Sequence, residues 1–352
     1  MSSFFSQPFA ETLPWLDATG PASDMVISTR GRLARNLSTY EFPHQANVSV
    51  RETVSAKLLK VLGGAPSLEQ GWSMELASLA PGLQALLREK HLTGSKISAP
   101  DDQRHLMVNS TASISALLNG EDHLRLHACK SGFQPQPVLS ALTEFEEELE
   151  GSLDFAFHDD FGYLTASPIN AGTGLRLSVM VHLPGLVLGG EIDKILNALR
   201  QLRFGVRGLF GSGAAVRGAI FLISNLVTLG RDESEIASDF EFHLGKVLLH
   251  ERTARQQLFA NDSLGLEDLA QRSLAVLQHA RLMTTQEAAD RLNHLRLGIG
   301  FGMVQGINYA ILNRAMVQYQ SAHLEAEAGC TLSTAEKTEA RANLLRDIFT
   351  GL

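Results

Sequence analysis

Residues 106–128 read LMVNSTASISALLNGEDHLRLHA. This stretch contains three short apolar or alternating runs, LMVN, SISALLN and HLRLHA, separated by segments rich in Ser, Asn and Gly. Alternating runs bounded by turn-forming residues indicate β-strands. The same pattern continues to about residue 230 in FAFHD, GYLTA and AIFLIS, so the middle of the chain is predicted to be rich in strands.

Helical periodicity replaces this pattern on both sides of the strands. Residues 50–92 are predicted to be helical, with a break at Gly63-Gly64-Ala65-Pro66, because apolar residues recur there at helical spacing. Two further helices, Pro137–Glu150 and Glu191–Arg203, are predicted to interrupt the strands. A long helix is predicted from Ser234 to about Phe259.

A change of composition near residue 262 indicates a domain boundary. The segment 261–265, Asn-Asp-Ser-Leu-Gly, is rich in turn-forming residues and is the best linker candidate. Beyond it we expect helices to the end of the chain, and Thr284 and Ser333 are each followed three residues later by Glu, the pattern of a helix N-cap. The length of 352 residues suggests two or three domains at roughly 150 residues each. The predicted division is a mainly helical N-terminal part (1–100), an α/β middle part (101–260) and a C-terminal helical domain (263–352).

Composition excludes several classes of protein. The 30 basic and 38 acidic residues give a net charge of −8, which argues against a protein that binds nucleic acid directly. The first basic residue is Arg30, so a secretory signal is not expected, and the most apolar stretch, 175–188, is too short and polar to cross a membrane. Cys129 and Cys330 lie far apart in the sequence and predict neither a disulfide framework nor a zinc site. We therefore expect a cytoplasmic protein without a membrane partner.

Arginine occurs in unusual surroundings at four places. The residues concerned are Arg30 and Arg32 on either side of Gly31, Arg125 after an acidic pair, Arg176 after a Gly-Thr-Gly-Leu turn, and Arg207 before Gly208. The planar, permanently charged guanidinium group binds phosphate oxygens in pairs, so the pattern suggests an anion site. The alternative is a set of unrelated surface arginines, because no Walker-type loop or dinucleotide fingerprint is present.

The segment Asn119-Gly120-Glu121-Asp122-His123 lies between two predicted strands. A carboxylate at a strand end beside Arg125 could act as a general base and position a substrate. Spacing alone favours the alternative, an acidic turn that closes a hairpin. A metal site made of Glu121, His123 and His127 is disfavoured, since side chains along a strand are poorly spaced for it.

Five motifs together resemble the ATP:guanido phosphotransferases, the family of the creatine and arginine kinases and the bacterial protein arginine kinases. They occur in the family's order and are STRGRLARN (28–36), NGEDHLR (119–125), GYLTASPINAGTGLR (162–176), VRGLFGSG (206–213) and ISNLVTLG (223–230). The segments ARLMTTQEA (280–288) and LRLGIGFGMVQG (295–306) are similar to the C-terminal domain of the bacterial protein arginine kinases. The resemblance implies an α+β fold, with a small helical N-terminal region, an antiparallel sheet flanked by helices and a C-terminal helical domain.

The resemblance also implies functional residues and ligands. It makes Glu121 the catalytic carboxylate that orients the guanidinium group and accepts its proton, with Asp122 beside it. Mg²⁺ is expected to be held mainly by the phosphates of ATP and by water, with no protein ligand cluster. The residues implied to bind the nucleotide are Ser28, Thr29, Arg30, Arg32, His91, Arg125, Arg176, Ser178, Val179, Met180, Arg207, Gly208 and Ser212.

The sequence departs from the family pattern on the acceptor side. Ser212 replaces a second glutamate, Ala215 replaces a common acidic residue, and Ser167 replaces a reactive cysteine. Gly120 replaces an acidic residue, and the C-terminal phosphoarginine-binding pattern has become Lys337-Thr338-Glu339-Ala340-Arg341-Ala342.

Three functions are compatible with this pattern. The resemblance implies an ATP-dependent kinase of protein arginine residues, with ATP, ADP and an arginine-containing protein as partners and a possible homodimer through the C-terminal domain. The alternatives are a nucleotide-binding regulator with weakened activity and a guanidino kinase with another acceptor.

Overall fold

The structure is a computed structural model that describes residues 13–93, 99, 102–208 and 217–350. Its strands are β1 Val26–Arg35, β2 Trp72–Glu75, β3 His105–Val108, β4 Ile114–Leu118, β5 Leu124–Ser131, β6 Phe157–His158, β7 Gly162–Tyr163, β8 Leu175–His182, β9 Phe204–Gly208 and β10 Ile220–Asn225. Its helices are α1 Val48–Leu62, α2 Pro81–Glu89, α3 Pro135–Glu147, α4 Pro184–Leu188, α5 Ile192–Gln201, α6 Glu233–Asn261, α7 Ser263–His279, α8 Thr285–Gly300, α9 Tyr309–Gln318, α10 Ser321–Ala328 and α11 Thr334–Thr350.

Eight strands form one antiparallel sheet in the order β2-β3-β4-β5-β1-β8-β10-β9, and β6 and β7 form a separate hairpin. The six strand-like runs of the sequence all appear as strands. The predicted α+β class with an antiparallel sheet, flanking helices and a helical C-terminal region is therefore confirmed.

One face of the sheet is covered by helices α3 and α6. Gly31 of β1 lies directly under α3, since a Cβ atom there would come within 2.5 Å of Leu142 and 2.7 Å of Val138. Leu33, Leu126, Leu177 and Val179 of the sheet belong to the same buried cluster as residues of these helices. Because side chains alternate along a strand, this packing assigns the intervening residues to the opposite face.

The opposite face is only partly covered. Ile27, Met180 and Ile220 pack with residues of the C-terminal helices in a second buried cluster, which includes Leu292 and Met316. This contact leaves the other end of the face open. None of the described helices is long and apolar enough to span a membrane.

Two expected segments differ from the structure. The run 50–92 is not helical throughout, because β2 pairs with β3 at the sheet edge and a new helix starts only at Pro81. Proline favours the first turn of a helix, which places the start there. The linker 261–265 is reduced to a single residue, Asp262, whose side chain accepts a hydrogen bond from Gly265 N and starts α7. The long helix predicted from Ser234 is confirmed as α6.

The predicted domain boundary near residue 100 separates strands that belong to one sheet. β1 and β2 come from the part assigned to 1–100, yet they pair with strands of the part assigned to 101–260. The boundary near residue 100 stays a prediction, and in the structure strands from both sides of it pair in one sheet.

A buried polar junction connects the sheet to the C-terminal helices. Arg255 of α6 donates a hydrogen bond to His182 Nδ1 at 3.3 Å, so His182 Nε2 carries the proton and donates to Asn293 Oδ1 of α8 at 2.5 Å. Burial and the neighbouring Arg255 and Arg296 hold the pKa of His182 well below its ordinary value. The junction therefore contains a neutral histidine, as its hydrogen bonds require.

Glu251 of α6 completes this junction. It is fully buried and accepts hydrogen bonds from Arg255 Nε at 2.6 Å and from the backbone N–H groups of Gly185 and Leu186 at 2.9 Å. The two amides belong to the first turn of α4, where helix N–H groups otherwise have no partner. The Glu251 carboxylate thus provides hydrogen-bond acceptors both for the buried Arg255 guanidinium and for the first N–H groups of α4.

We predict that Glu251→Ala lowers the free energy of unfolding by about 3–5 kcal/mol, because it leaves Arg255 buried without its partner. The matched control is Glu241→Ala, an exposed position on the same helix, which should change stability by less than about 0.5 kcal/mol. Urea unfolding of both variants measures the difference. Equal stability of the two variants would show that the junction does not stabilise the fold.

Candidate active site

Strand pairing brings distant arginines to the uncovered face of the sheet. Arg32 of β1 lies opposite Arg176 of β8 and opposite His127 of β5. Arg30 lies opposite Ser178 and Cys129. Directly opposed residues of neighbouring strands point to the same face. The alternation along β1 therefore places both arginines away from α3.

Arg125 and Arg207 join the same group. Burial, followed by Arg125, Arg176, Arg207 and Arg30, lowers the pKa of Arg32 to about 9. Strand register agrees, because Arg207 lies opposite Leu222, which lies opposite Met180, and Arg125 alternates with the core residue Leu126. The structure thus gathers the five sequence-predicted arginines into one cluster, which we call the arginine cluster (Arg30, Arg32, Arg125, Arg176 and Arg207).

Several donors of the cluster have no hydrogen-bond partner. Within the described part of the chain, Arg30 Nε and Nη2 and Arg125 Nε are buried and have no hydrogen-bond partner. Arg30 as a whole is only 7% exposed, so water cannot readily replace the missing partners. A buried donor without a partner costs about 1–3 kcal/mol, more when it is charged. Guanidinium groups form charge-assisted hydrogen bonds to phosphate oxygens, so these donors are suited to bind an anion of that kind.

Two aromatic residues close one side of the cluster. The Arg30 guanidinium lies 4.7 Å from the ring centre of Trp15, and this ring meets His91 edge-on at 5.7 Å. Burial and the charges of Arg30 and Arg207 hold the pKa of His91 well below its ordinary value, so it is neutral. The sequence-predicted His91 thus reaches the site from the end of α2.

The cluster opens into a cavity of about 240 Å³. Glu121 is exposed in its wall, and its charge raises the pKa of Arg125 and Arg176 against the larger effect of burial. The lining residues are Arg32, Ala34, Leu117, Gly120, Glu121, Asp122, Arg125, Ser167, Ile169, Asn170, Gly174 and Arg176. A carboxylate and three arginines therefore face one space, which can hold a cation beside a polyanion.

Asp122 has a different environment from Glu121. It is only 5% exposed, and its Oδ1 accepts hydrogen bonds from Asn36 Nδ2 and from Ala166 N, both at 2.7 Å. Burial raises the pKa of Asp122, while these two hydrogen bonds act in the opposite direction. Its carboxylate thus connects the end of β1 to the cavity wall at Ala166, which suits a positioning residue.

The remaining predicted nucleotide-site residues divide between the two faces. Ser28, Ser178 and Met180 share the face of the arginine cluster by register. Thr29 points to the helical face, where its Oγ1 donates to Gly132 O at 2.6 Å and accepts from Gln134 N at 2.9 Å, and Val179 lies in the core there. Strand alternation is the reason, so only the backbone of Thr29 and Val179 can reach the cluster.

Gly208 ends β9, while Ser212 and Ala215 lie outside the described residues. Among the described residues, no group of three or more His, Cys, Asp or Glu side chains could hold a metal ion.

The altered C-terminal motif has internal partners. Lys337 Nζ lies 2.8 Å from Glu325 Oε1. Arg341 is buried and donates hydrogen bonds to the carbonyl groups of Tyr319 at 2.9 Å and Met283 at 3.0 Å. These contacts give both cations a role in holding the helical domain together.

Sequence reasoning did not identify Trp15, His127 or Asn170 as site residues. His127 follows Arg125 by two positions on a strand, so alternation alone could have found it. Asn170 Oδ1 accepts a hydrogen bond from Arg176 at 3.3 Å, and it lies within a motif that was already recognised. Trp15 stands in a segment without a motif, and only the fold reveals its contact with Arg30.

Two family models match the chain. Residues 53–254 match the ATP:guanido phosphotransferase C-terminal catalytic domain, and residues 263–352 match the protein-arginine kinase McsB C-terminal domain. The protein-arginine kinase of Halalkalibacterium halodurans is 36% identical over 334 residues, covering 95% of this chain and 94% of its own length. That of Bacillus cereus strain G9842 is 36% identical over 338 residues, covering 95% of each chain.

Solved structures share the fold. A crystal structure of lombricine kinase gives a TM-score of 0.57 at 24% identity, covering 69% of this chain and 71% of that one. The substrate-free duplicated taurocyamine kinase from Schistosoma mansoni gives 0.57 at 20% identity, covering 95% of this chain and 51% of that one. These likenesses, the family models and the similar relatives agree, and the chain belongs to the ATP:guanido phosphotransferase family.

Proposed function

We propose that this protein transfers the γ-phosphoryl group of ATP to a guanidinium nitrogen of arginine residues in other proteins. The observation that carries the proposal is the arginine cluster with unpartnered buried donors at a cavity that also contains Glu121. Relatives named protein-arginine kinase, which match 95% of the chain, support the choice of acceptor.

The arginine cluster supplies the donor side of the reaction. Phosphoryl transfer depends mainly on alignment and on neutralising the charge of the transferred group. Arg30 and Arg125 offer unpartnered donors to phosphate oxygens, and Trp15 and neutral His91 form an adjoining wall. The residues fit a nucleoside triphosphate, whose phosphates would hold Mg²⁺ and whose metal would add charge neutralisation when bound.

Glu121 supplies the acceptor side. A guanidinium nitrogen attacks the γ-phosphorus, the bond between phosphorus and the ADP oxygen breaks, and the guanidinium proton passes to the Glu121 carboxylate. Because a protonated guanidinium is a poor nucleophile, this proton transfer is a necessary part of the step. Asp122 holds the cavity wall through Ala166 and so positions Glu121, its neighbour in the chain.

Cellular location and assembly belong to the same proposal. Cys129 and Cys330 are both free, which is compatible with a reducing, cytoplasmic environment where ATP is available. Dimerisation through the C-terminal domain stays a prediction.

Mass spectrometry of an arginine-rich protein incubated with this enzyme and Mg-ATP tests the function. We expect a mass increase of one phosphoryl group on arginine, preserved at neutral pH because the phosphorus–nitrogen bond is acid-labile. Nucleotide binding without transfer would instead favour a nucleotide-binding regulator. Ser167, which replaces the family's reactive cysteine and lines the cavity, is the observation that supports this alternative. Transfer to free guanidino compounds alone would favour another acceptor.

We predict that Glu121→Gln lowers kcat by about 10²–10⁴-fold, the usual contribution of a general base. The affinity for ADP should remain, since the arginine cluster is intact. Glu144→Gln, an exposed position on α3 within the helical layer, is the control and should retain full activity. Steady-state kinetics measure both variants, and wild-type turnover in Glu121→Gln would remove Glu121 from the mechanism.

We predict that Arg32→Gln raises the melting temperature of the nucleotide-free protein and removes most of the stabilisation by ADP. The folded-state pKa of Arg32, about 9, lies well below the ordinary value of an arginine, so its positive charge opposes folding throughout the pH range below 9. The charge is useful only when phosphate is bound. Thermal unfolding with and without Mg-ADP measures both effects. A lower melting temperature without nucleotide would contradict the repulsion.

A further inference from the structure

Large apolar side chains are exposed next to the active-site cavity. Ile169 lines the cavity and is 49% exposed, while Phe157 and Phe161 of the β6–β7 hairpin are 57% and 52% exposed. We call these three residues the apolar rim. Exposed apolar patches on a soluble protein commonly mark an interaction site.

The hairpin is fixed in place by specific contacts. The Phe157 ring packs edge-on against Tyr163 at 5.3 Å, and the Arg35 guanidinium lies 3.5 Å from the centre of the Tyr163 ring. Tyr163 and Gly172 exchange two backbone hydrogen bonds, at 2.8 and 3.2 Å. The exposed rings of the rim therefore stand on a rigid support, which reduces the entropy lost when a ligand binds.

The chain runs directly from the hairpin into the cavity wall. Leu164 N donates to Ala156 O at the base of the hairpin, Ala166 N donates to Asp122, and Ser167 and Ile169 line the cavity. The carbonyl group of Ile169 accepts a hydrogen bond from Thr228 Oγ1 at 3.1 Å. The apolar rim is thus continuous with the site where the acceptor guanidinium must enter.

The charge of the hairpin complements an arginine-bearing segment. Asp159 and Asp160 are exposed at its tip, between the two phenylalanines in the sequence. The hairpin tip and the cavity wall at Glu121 are therefore both acidic. When a guanidinium reaches Glu121, the main chain that carries it and the neighbouring side chains remain at the cavity mouth.

We propose that the apolar rim binds apolar side chains that neighbour the acceptor arginine, so that the enzyme prefers arginines in apolar sequence surroundings. This inference rests on the proposed function, because it assumes a polypeptide acceptor. The ligand is a polypeptide segment with an arginine and large apolar residues beside it.

Two peptides that differ only at the residues beside their single arginine, Leu in one and Ser in the other, test the inference. We expect wild-type enzyme with Mg-ADP to bind the Leu peptide about tenfold more tightly by fluorescence anisotropy. In kinetics the same ratio should appear in KM with kcat unchanged, as for binding that is equal in the ground and transition states. The double variant Phe157→Ser/Phe161→Ser should lose the preference.

Phe242→Ser on α6 is the matched control, since Phe242 is 58% exposed on the helical layer. It should keep the preference, and all variants should keep wild-type ADP affinity. Equal affinity of wild-type enzyme for both peptides, or loss of the preference in Phe242→Ser, would overturn the inference. A preserved binding preference without any phosphoryl transfer would support the rim while rejecting the proposed function, so the two failures are distinguishable.

Discussion

The structure gathers several arginine charges on one partly buried face of the sheet. Burying like charges together is unfavourable in free energy, so the rest of the fold must compensate for it. Burial, and after it the charge of neighbouring arginines such as Arg207, lowers the pKa of Arg30, Arg32 and Arg176, and donors of Arg30 and Arg125 have no partner in the described protein. Stability alone would never select such an arrangement. The sheet packs its other face in a large buried cluster, and under the proposed function the phosphates of a nucleotide would supply compensating negative charge.

Strand alternation allows one face of the sheet to form the core while the other face carries the arginine cluster. The same strand, β1, contributes Leu33 to the core beneath α3 and Arg32 to the cluster on the other face. Gly31 allows α3 to approach closely and thereby fixes which face is the core. The stability of one face and the chemistry of the other are therefore encoded in alternate residues of a single segment.

The C-terminal helical domain covers the part of the second face that the site leaves free. Its junction contains buried polar groups, with His182, Arg255 and Glu251 all paired. A second connection lies near His91, where Glu89 accepts hydrogen bonds from Ala322 N at 2.9 Å and His323 N at 3.1 Å at the start of α10. Since Glu89 precedes His91 by two residues, the helical domain is physically continuous with the wall of the site.

The sequence by itself determined the strands of the middle region, the long helix α6, the helix start at Thr284 and the residue types of the site, because these follow from local periodicity, caps and motifs. It did not determine that β1 lies between β5 and β8, nor that Trp15 packs beside Arg30 and His91 at the site, nor that the Asp122 carboxylate accepts a hydrogen bond from Asn36. Local patterns decide which side of a strand a residue occupies. Only long-range pairing and packing decide which distant residues lie opposite it, and that is where the cluster, the cavity and the apolar rim arise.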